Sequence, residues 1–307
     1  DFLQKIKKVF FSNKMLMMLL IMIFIKKILT KSKQITQRKL NYYSELYFTV
    51  PNEKGPTTVI SSYFQTQPTK ILLNGEIATA DYWGDIQIID DEHENIITYI
   101  WDSDEQLTNC QDMFKGLSEI LFINFTNFDL SQVTNMDDMF NGCNALTSID
   151  FNSNVKINSL LTFTSMFLEC YSLEYLDLSF MDTSSITDMS YLFADCHSLK
   201  YLDISNFNTT SVQTMINMFQ DCRSLSSLNL NNFITSSVEN MNCMFYNCFS
   251  LEFLYLDNFD TKLVINMGSM FENCTKLISL DLQNFDTSLV EYMNSMFYDC
   301  VSLIFLR

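Results

Sequence analysis

The stretch YLDISNFNTTSVQTMINMFQDC at residues 201–222 contains the pattern that decides the fold. Its Met-Phe pair, once replaced by Leu-Phe, occurs eight times at intervals of 26, 27, 26, 26, 26, 26 and 26 residues. A cysteine follows three residues after the Phe in every copy except the first, where Leu117 takes its place. A period of roughly 20–50 residues indicates a solenoid, in which each unit covers its apolar side with the next. The pairs begin at Met113, Met139, Met166, Leu192, Met218, Met244, Met270 and Met296.

Each unit combines two hydrophobic periodicities. The L-x-x-L-x-L segment at 199–204 alternates at its end, as a strand with one buried face does. The apolar residues between Val212 and Cys222 follow at spacings of 3, 3, 1 and 3, which places them on one face of a helix. We therefore predict an α/β-type repeat: a leucine-rich-repeat solenoid of 26-residue units, each with one short strand and one helical segment.

These units resemble the BspA-type leucine-rich-repeat surface proteins. The resemblance covers about residues 107–307 and rests on the repeated M-F-x-x-C and L-D-L-S-x-F-D-T-S motifs. It implies a secreted or surface-displayed protein that binds or adheres, usually without known enzymatic activity. Ordinary leucine-rich repeats carry an Asn after the strand, and this chain has Phe or Met at that position. We therefore expect aromatic stacking rather than an asparagine ladder in the inner turn. The residues at that position are Phe128, Met181, Phe207, Phe233, Phe259 and Phe285.

Three regions follow from the sequence. Residues 1–40 form a basic and apolar leader, residues 41–106 a β-rich N-terminal cap, and residues 107–307 the solenoid of about eight units. Within the cap, Asn74-Gly75 lies between two apolar runs and predicts a hairpin turn. The runs 86–89 and 96–101 read as further strands. Because the sequence stops inside a predicted strand, we expect the solenoid to be truncated at its C-terminal end.

The leader contains the apolar run MLMMLLIMIFI at residues 15–25, preceded by four lysines. Eleven residues span only about 16 Å as a helix, against a hydrocarbon core of about 30 Å. This length is typical of a secretory signal, although Lys26 and Lys27 follow directly and no small-x-small cleavage site is present. The leader is therefore predicted to be a signal or a membrane anchor, with membrane contact through residues 9–27. An amphipathic surface segment and an artefact of gene prediction are the alternatives.

Charge is divided unevenly along the chain. The net charge of −17 combines +9 for residues 1–40 with −26 for the remainder. So acidic a body repels phosphate backbones, whose binding depends on Lys and Arg. We therefore expect no nucleic-acid partner.

The cysteine column has three interpretations. Its seven members lie on the apolar stripe, and Leu117 in the first copy favours buried free thiols that act as small hydrophobic residues. Disulfides between neighbouring units and metal binding are the alternatives, but no C-x-x-C motif supports a zinc site. Cys110 takes a Met position and is expected in the core, whereas Cys243 lies off the stripe and is expected to be exposed.

Catalytic motifs are missing from the sequence. Only two histidines occur, and neither lies in a nucleophile, phosphate-binding or dinucleotide-binding motif. His197 occupies a variable position and reads as a surface side chain, while His93 lies in the acidic run 90–94, which reads as a solvated turn rather than a cation site. We therefore predict no enzymatic activity, no cofactor and no metal.

The strand residues that alternate with leucine are predicted to face outward as two parallel columns. The first holds aromatic residues and serines, and the second mostly Asp and Asn, whose stacked carboxylates repel one another unless a cation or a basic partner covers them. A self-supporting ladder is the structural interpretation; the functional one is a ligand surface, because exposed aromatics beside hydrogen-bonding groups suit sugar rings and peptides. The candidate ligand-binding residues are Phe122, Tyr175, Tyr201, Phe253, Tyr255, Asp150, Asp177, Asp203 and Asp281.

Three N-glycosylation sequons begin at Asn124, Asn208 and Asn273, and they matter only in a eukaryotic secretory pathway. The predicted function is a surface-displayed or secreted, adhesin-like interaction module that binds protein or glycan ligands at a cell surface. Its expected location is extracellular or at the cell surface, with the leader as the candidate membrane anchor. The alternative is an intracellular scaffolding repeat protein with reduced cysteines.

Overall fold

The computed structural model describes residues 44–51, 55–81, 84–88, 95–101, 107–151 and 157–306. These residues form strands, turns and extended segments, and they contain no helix. No part of the described chain therefore forms a helix able to cross a membrane. The predicted leader, the acidic run 90–94 and Arg307 lie outside the described residues. The strands are β1 (Ser44–Val50), β2 (Gly55–Thr58), β3 (Lys70–Leu73), β4 (Glu76–Ala78), β5 (Asp85–Ile88), β6 (Asn95–Trp101), β7 (Phe122–Asn127), β8 (Ser148–Asp150), β9 (Tyr175–Asp177), β10 (Tyr201–Asp203), β11 (Ser227–Asn229), β12 (Phe253–Tyr255), β13 (Ser279–Leu280) and β14 (Phe305–Leu306).

Four N-terminal strands share a sheet with the first two strands of the repeat, in the order β4-β3-β6-β1-β7-β8, while β2 and β5 pair antiparallel in a separate two-stranded sheet. β1 pairs antiparallel with both β6 and β7, and β7 pairs parallel with β8. The predicted hairpin is confirmed: β3 and β4 pair across Asn74 and Gly75, which have φ of 51° and 91°. Positive φ at both central residues is what a type I′ turn requires.

The repeat strands are short and follow one another every 26 or 27 residues. They pair in parallel, and equivalent residues lie side by side, such as Tyr175 with Tyr201 and Ser227 with Phe253. Pairing is not continuous, because β9–β10, β11–β12 and β13–β14 form three separate two-stranded sheets. This register confirms the predicted repeat length.

The prediction of a helical segment in each unit is wrong. Its backbone forms successive tight turns: Leu117 N–H donates to the Phe114 carbonyl three residues earlier, at 3.0 Å. Alternate N–H groups donate to the next repeat instead, as Asp112 does to Asp137 at 3.0 Å. A helix would bond every N–H four residues back. The chain is therefore a strand-and-turn repeat, without a helix in any described unit.

The turns depend on two left-handed residues in every unit, which no α-helix accommodates. Asp, Asn and Gly tolerate positive φ, and most of these positions carry one of them or Ser. The hydrophobic spacing of 3, 3, 1 and 3 fits turns as well as a helix, so the polar residues before Met and before Cys were the deciding signal. The positive-φ residues before the Met-Phe pairs are Asp112, Asp138, Ser165, Tyr191, Asn217, Cys243, Ser269 and Ser295, and those before the cysteine position are Gly116, Gly142, Glu169, Asp195, Asp221, Asn247, Asn273 and Asp299.

A continuous ladder of phenylalanine rings forms the centre of the core. Phe219 is fully buried and stacks between Phe193 at 5.5 Å and Phe245 at 5.6 Å, in keeping with the 26-residue period of the Met-Phe pairs. Tyr99 of β6 stacks on the first ring of the repeat at 6.0 Å, so the N-terminal sheet supplies the end of the ladder. The rings in order are Tyr99, Phe114, Phe140, Phe167, Phe193, Phe219, Phe245, Phe271 and Phe297.

Polar ladders run beside the rings. The fully buried Thr235 hydroxyl donates to the Asp260 carbonyl at 2.9 Å and accepts from the Asp260 N–H at 2.8 Å, and Thr183, Thr209 and Thr261 repeat this pattern. The expectation of aromatic stacking in the inner turn is confirmed for Phe259 and Phe285, but the expectation that no asparagine ladder accompanies it is wrong. Phe259 does stack on Phe285 at 6.3 Å, but asparagines one position earlier bond the preceding repeat. These are Asn206, Asn232, Asn258 and Asn284.

Candidate functional site

The outward face of the repeat strands carries the first predicted column. Between the strand residues that point outward, leucines point inward, and Leu176 is only 2% exposed. Tyr175 and Tyr201 are 53% and 49% exposed, and their rings stack at 4.7 Å and 3°. Phe253 and Tyr255 are exposed to a similar extent. The structure thus brings the aromatic candidates of the middle repeats together on one solvent-facing surface.

The N-terminal end of this surface differs from the prediction. Phe122 is half-buried and packs against Tyr47 of β1, with ring centroids 6.3 Å apart. Asn124 is 7% exposed, and its side chain donates to Asp150 at 3.1 Å. The pairing of β1 with β7 covers this end, which the repeat pattern alone does not reveal.

The aspartates of the second column stabilise turns. Asp177 accepts a hydrogen bond from the Ser179 N–H at 2.9 Å, Asp203 from the Ser205 N–H at 3.0 Å, and Asp281 in the same way from Gln283. Hydrogen bonds from the Ser205 side chain and N–H lower the pKa of Asp203. These hydrogen bonds stabilise the carboxylates against their mutual repulsion without a cation or a basic partner. In the sequence, such a turn is indicated by an Asp whose side chain can accept a hydrogen bond from the N–H two residues later.

A shallow groove lies between β10 and β11, where two of the two-stranded sheets meet without joining. It has a volume of about 420 Å³. Lys200 at its rim forms an ion pair with Glu174 at 3.0 Å. The charge of Asp203 raises the pKa of the neighbouring Tyr201 hydroxyl. The groove is lined by Lys200, Tyr201, Leu202, Asp203, Ile204, Ser205, Ser227, Leu228, Asn229, Asn231 and Asn232.

His197 is not the free surface side chain that the sequence suggested. It is half-buried, stacks on Tyr171 at 4.7 Å, and places Nε2 3.3 Å from Asp195 Oδ1. Asp195, His197 and Asp221 place three possible metal-ligating atoms within 4.8 Å of one another. Asp221 already bonds the Arg223 guanidinium at 2.8 Å. This guanidinium offsets the charge of Asp221, one of the two carboxylates in the cluster.

The cysteine column makes hydrogen bonds along the stack. Cys222 donates its S–H to the Phe193 carbonyl at 3.3 Å, and burial raises the pKa of its thiol well above the usual value. All nine cysteines are free thiols in the structure, and Cys110 is buried as expected. Cys243 is half-buried rather than fully exposed. The column members that donate to a carbonyl of the preceding repeat are Cys143, Cys170, Cys196, Cys222, Cys248, Cys274 and Cys300.

The three sequons lie in different environments. Asn124 is buried in the sheet, and Asn273 is half-buried and donates to Asn247 at 2.7 Å. Asn208 is exposed in a turn, where its side-chain oxygen accepts a hydrogen bond from the Thr210 N–H at 3.1 Å. Of the three, Asn208 has the accessibility that glycan attachment requires.

Comparisons with known proteins assign a family but no activity. The family described as "Mycoplasma protein of unknown function, DUF285" matches residues 108–200, 161–253 and 229–304. No curated protein matches the chain. A leucine-rich repeat protein from Eubacterium ventriosum, of known crystal structure, is similar with 15% sequence identity and a TM-score of 0.39. The match covers 74% of this chain and 50% of that one, so the chain spans about half the length of that protein. Because the family matches extend over the repeats from residue 108 to residue 304, which is more than half of the sequence, the chain belongs to the DUF285 family.

Proposed function

We propose that this repeat protein is a non-enzymatic interaction module that binds a protein or glycan ligand through the outward face of its repeat strands. The observation that supports this best is the exposed Tyr175–Tyr201 stack beside the polar groove at β10 and β11. Tyrosine is among the residues that are enriched at the centres of binding surfaces. The acidic repeats favour neutral or basic ligands and disfavour nucleic acid.

The proposed location is the cell surface or the extracellular space, as in the BspA-type proteins that the repeats resemble. The basic leader 1–40, with its apolar run, supports export or anchoring. Deletion of residues 1–40 should abolish surface display, measured by antibody labelling of intact cells, while total protein in the lysate stays unchanged. Retained labelling would contradict the role of the leader.

An intracellular scaffold is the second candidate. It is supported by the nine free thiols, seven of which donate hydrogen bonds to backbone carbonyls in their reduced form. Reduced cysteines are typical of a reducing compartment. The leader-deletion experiment separates the two candidates, because a scaffold would not depend on residues 1–40 for its location.

Replacement of Tyr175 and Tyr201 by serine tests the binding surface. Serine already takes this column position at Ser227, so the fold should be retained. We expect the double variant to lose at least about tenfold in affinity for ligands detected on arrays of glycans and basic peptides, since exposed aromatic anchors carry much of a binding free energy. The matched control replaces Tyr292 and Tyr298, which are exposed outside the strands, by serine. An equal loss in both double variants, or none in the first, would contradict the proposal.

A further inference from the structure

The outward aromatic column lacks a ring at Ser148, Ser227 and Ser279, and of these three Ser227 lines the groove between β10 and β11. Tyr175 covers one face of the Tyr201 ring at 4.7 Å, and the two rings are parallel within 3°. The next repeat places Ser227 at this position, and the repeat after it places Phe253 there. The other face of Tyr201 is therefore directed at a position where the stack lacks a ring. Tyr201 remains 49% exposed.

The gap has the thickness of one ring. The core rings of the same repeats lie 5.5 and 5.6 Å apart, so two repeats separate Tyr201 from Phe253 by roughly 11 Å. Ring centroids stack at about 4.5–7 Å. One six-membered ring can therefore occupy the position above Ser227 at a stacking distance from Tyr201. The groove between β10 and β11 opens at this position, with Tyr201 and Ser227 among its lining residues.

The groove lining around Ser227, where the ring is missing, is polar. Asp203 and Asn229 present a carboxylate and a carboxamide, and Ser227 presents a hydroxyl. The Ser205 N–H donates to Asp203 at 3.0 Å, and the Ser205 and Tyr201 hydroxyls also bond this carboxylate, which accepts at about four lone-pair positions. Lys200, the cation at the rim, is paired with Glu174 at 3.0 Å. The site thus offers hydrogen bonds around the edge of a bound ring and does not favour an anion.

We infer that this groove binds a neutral pyranose ring, which stacks on Tyr201 above Ser227 and hydrogen-bonds through its hydroxyls to Asp203 and Asn229. A pyranose has hydroxyl groups around its edge, and these can form further hydrogen bonds with Asp203 and Asn229, which a phenyl ring cannot. Acidic sugars and phosphates are disfavoured by Asp203. The inference rests on the proposed function and specifies the ligand class for the same face.

The test is to fill the gap. Ser227→Phe places a ring where neighbouring repeats already carry one, and Ser226→Phe adds the same ring one residue earlier, at another exposed position. Binding of cellotetraose, maltotetraose and chitotetraose to the full chain is measured by calorimetry. We expect at least one of them to bind the unaltered chain. Ser227→Phe and Tyr201→Ser should each weaken it about tenfold or more, the loss expected for a central stacking contact, while Ser226→Phe retains affinity.

Two results would overturn the inference. One is that none of the three tetrasaccharides binds the unaltered chain; the other is that Ser227→Phe binds as well as the unaltered chain. The proposed function is tested separately by the array measurement on the Tyr175→Ser/Tyr201→Ser variant. A basic peptide that binds through those tyrosines, without tetrasaccharide binding, would uphold the proposed function and refute the pyranose site.

Discussion

Removal of a single ring from the phenylalanine ladder measures how much the packing between neighbouring repeats contributes to the free energy of unfolding. Phe219 lies in the middle of the stack, fully buried, with parallel neighbours on both sides at 5.5 and 5.6 Å. Phe219→Ala deletes a ring that two neighbouring repeats share as packing surface. Because each repeat is stabilised by its neighbours, the loss affects three repeats at once.

The expected magnitude follows from burial and stacking. A buried Phe→Ala substitution costs about 3–5 kcal/mol, and the two stacked contacts place Phe219 towards the upper end. Phe219→Leu keeps most of the volume and loses the stacking, at about 0.5–1.5 kcal/mol for each of two contacts. The control Phe253→Ala removes a ring that is 47% exposed on the outward face, and it should cost less than about 1 kcal/mol.

Urea denaturation followed by circular dichroism gives the free energies of unfolding. The denaturant dependence should be compared among variants, because a repeat array can unfold in parts when one interface is weakened. A reduced slope for Phe219→Ala would indicate partial unfolding of the stack at this interface. A loss below about 1 kcal/mol, or a loss equal to that of Phe253→Ala, would refute the ladder as the main source of stability.

Three further outcomes are expected. Thr235→Val should cost about 1–3 kcal/mol in urea denaturation, since it leaves the Asp260 N–H and carbonyl without their side-chain partner; an unchanged midpoint would contradict the threonine ladder. The folded-state pKa of Asp203 is lowered, so its contribution to stability is present above the unfolded-state pKa and is lost as pH falls through the folded one. Asp203→Asn should therefore be less sensitive to acid than the unaltered chain in thermal melts between about pH 5 and 2, and parallel pH profiles would argue against this. A thiol reagent should modify the half-buried Cys243 before the fully buried Cys222, as read by peptide mass spectrometry, and the reverse order would show that the column opens to solvent.

Those parts of the fold that depend on the spacing of residues along the chain could be predicted from the sequence. The 26-residue period placed Phe219 between Phe193 and Phe245, and Asn74-Gly75 identified a hairpin because few other residues accept two positive φ angles. The helix was predicted wrongly because hydrophobic spacing alone does not distinguish a helix from successive turns. The left-handed residues before each Met and Cys carried that information.

The candidate site was predictable only in part. Alternation placed Tyr175 and Tyr201 on one exposed face, and the structure stacks them. The burial of Phe122 depends on the pairing of β1 with β7, between segments far apart in the chain. The groove depends on an interruption of strand pairing after β10, although the repeats on its two sides have nearly the same motif. Such tertiary effects leave no periodic signal in the sequence.

The hydrogen bonds of the turn segment give every unit a direction. The N–H groups of Met215, Asn217, Phe219 and Asp221 all donate to carbonyls of the following repeat, at 2.7–3.0 Å. The turn segment of each unit therefore presents these N–H groups to one neighbour and the corresponding carbonyls to the other, and its peptide dipoles add along the stack as they do along a helix. A duplicated or deleted unit joins its neighbours through an interface that already exists. Tandem duplication can thus lengthen or shorten such a chain by whole units without a new surface having to evolve, whereas an inverted unit would set donor against donor.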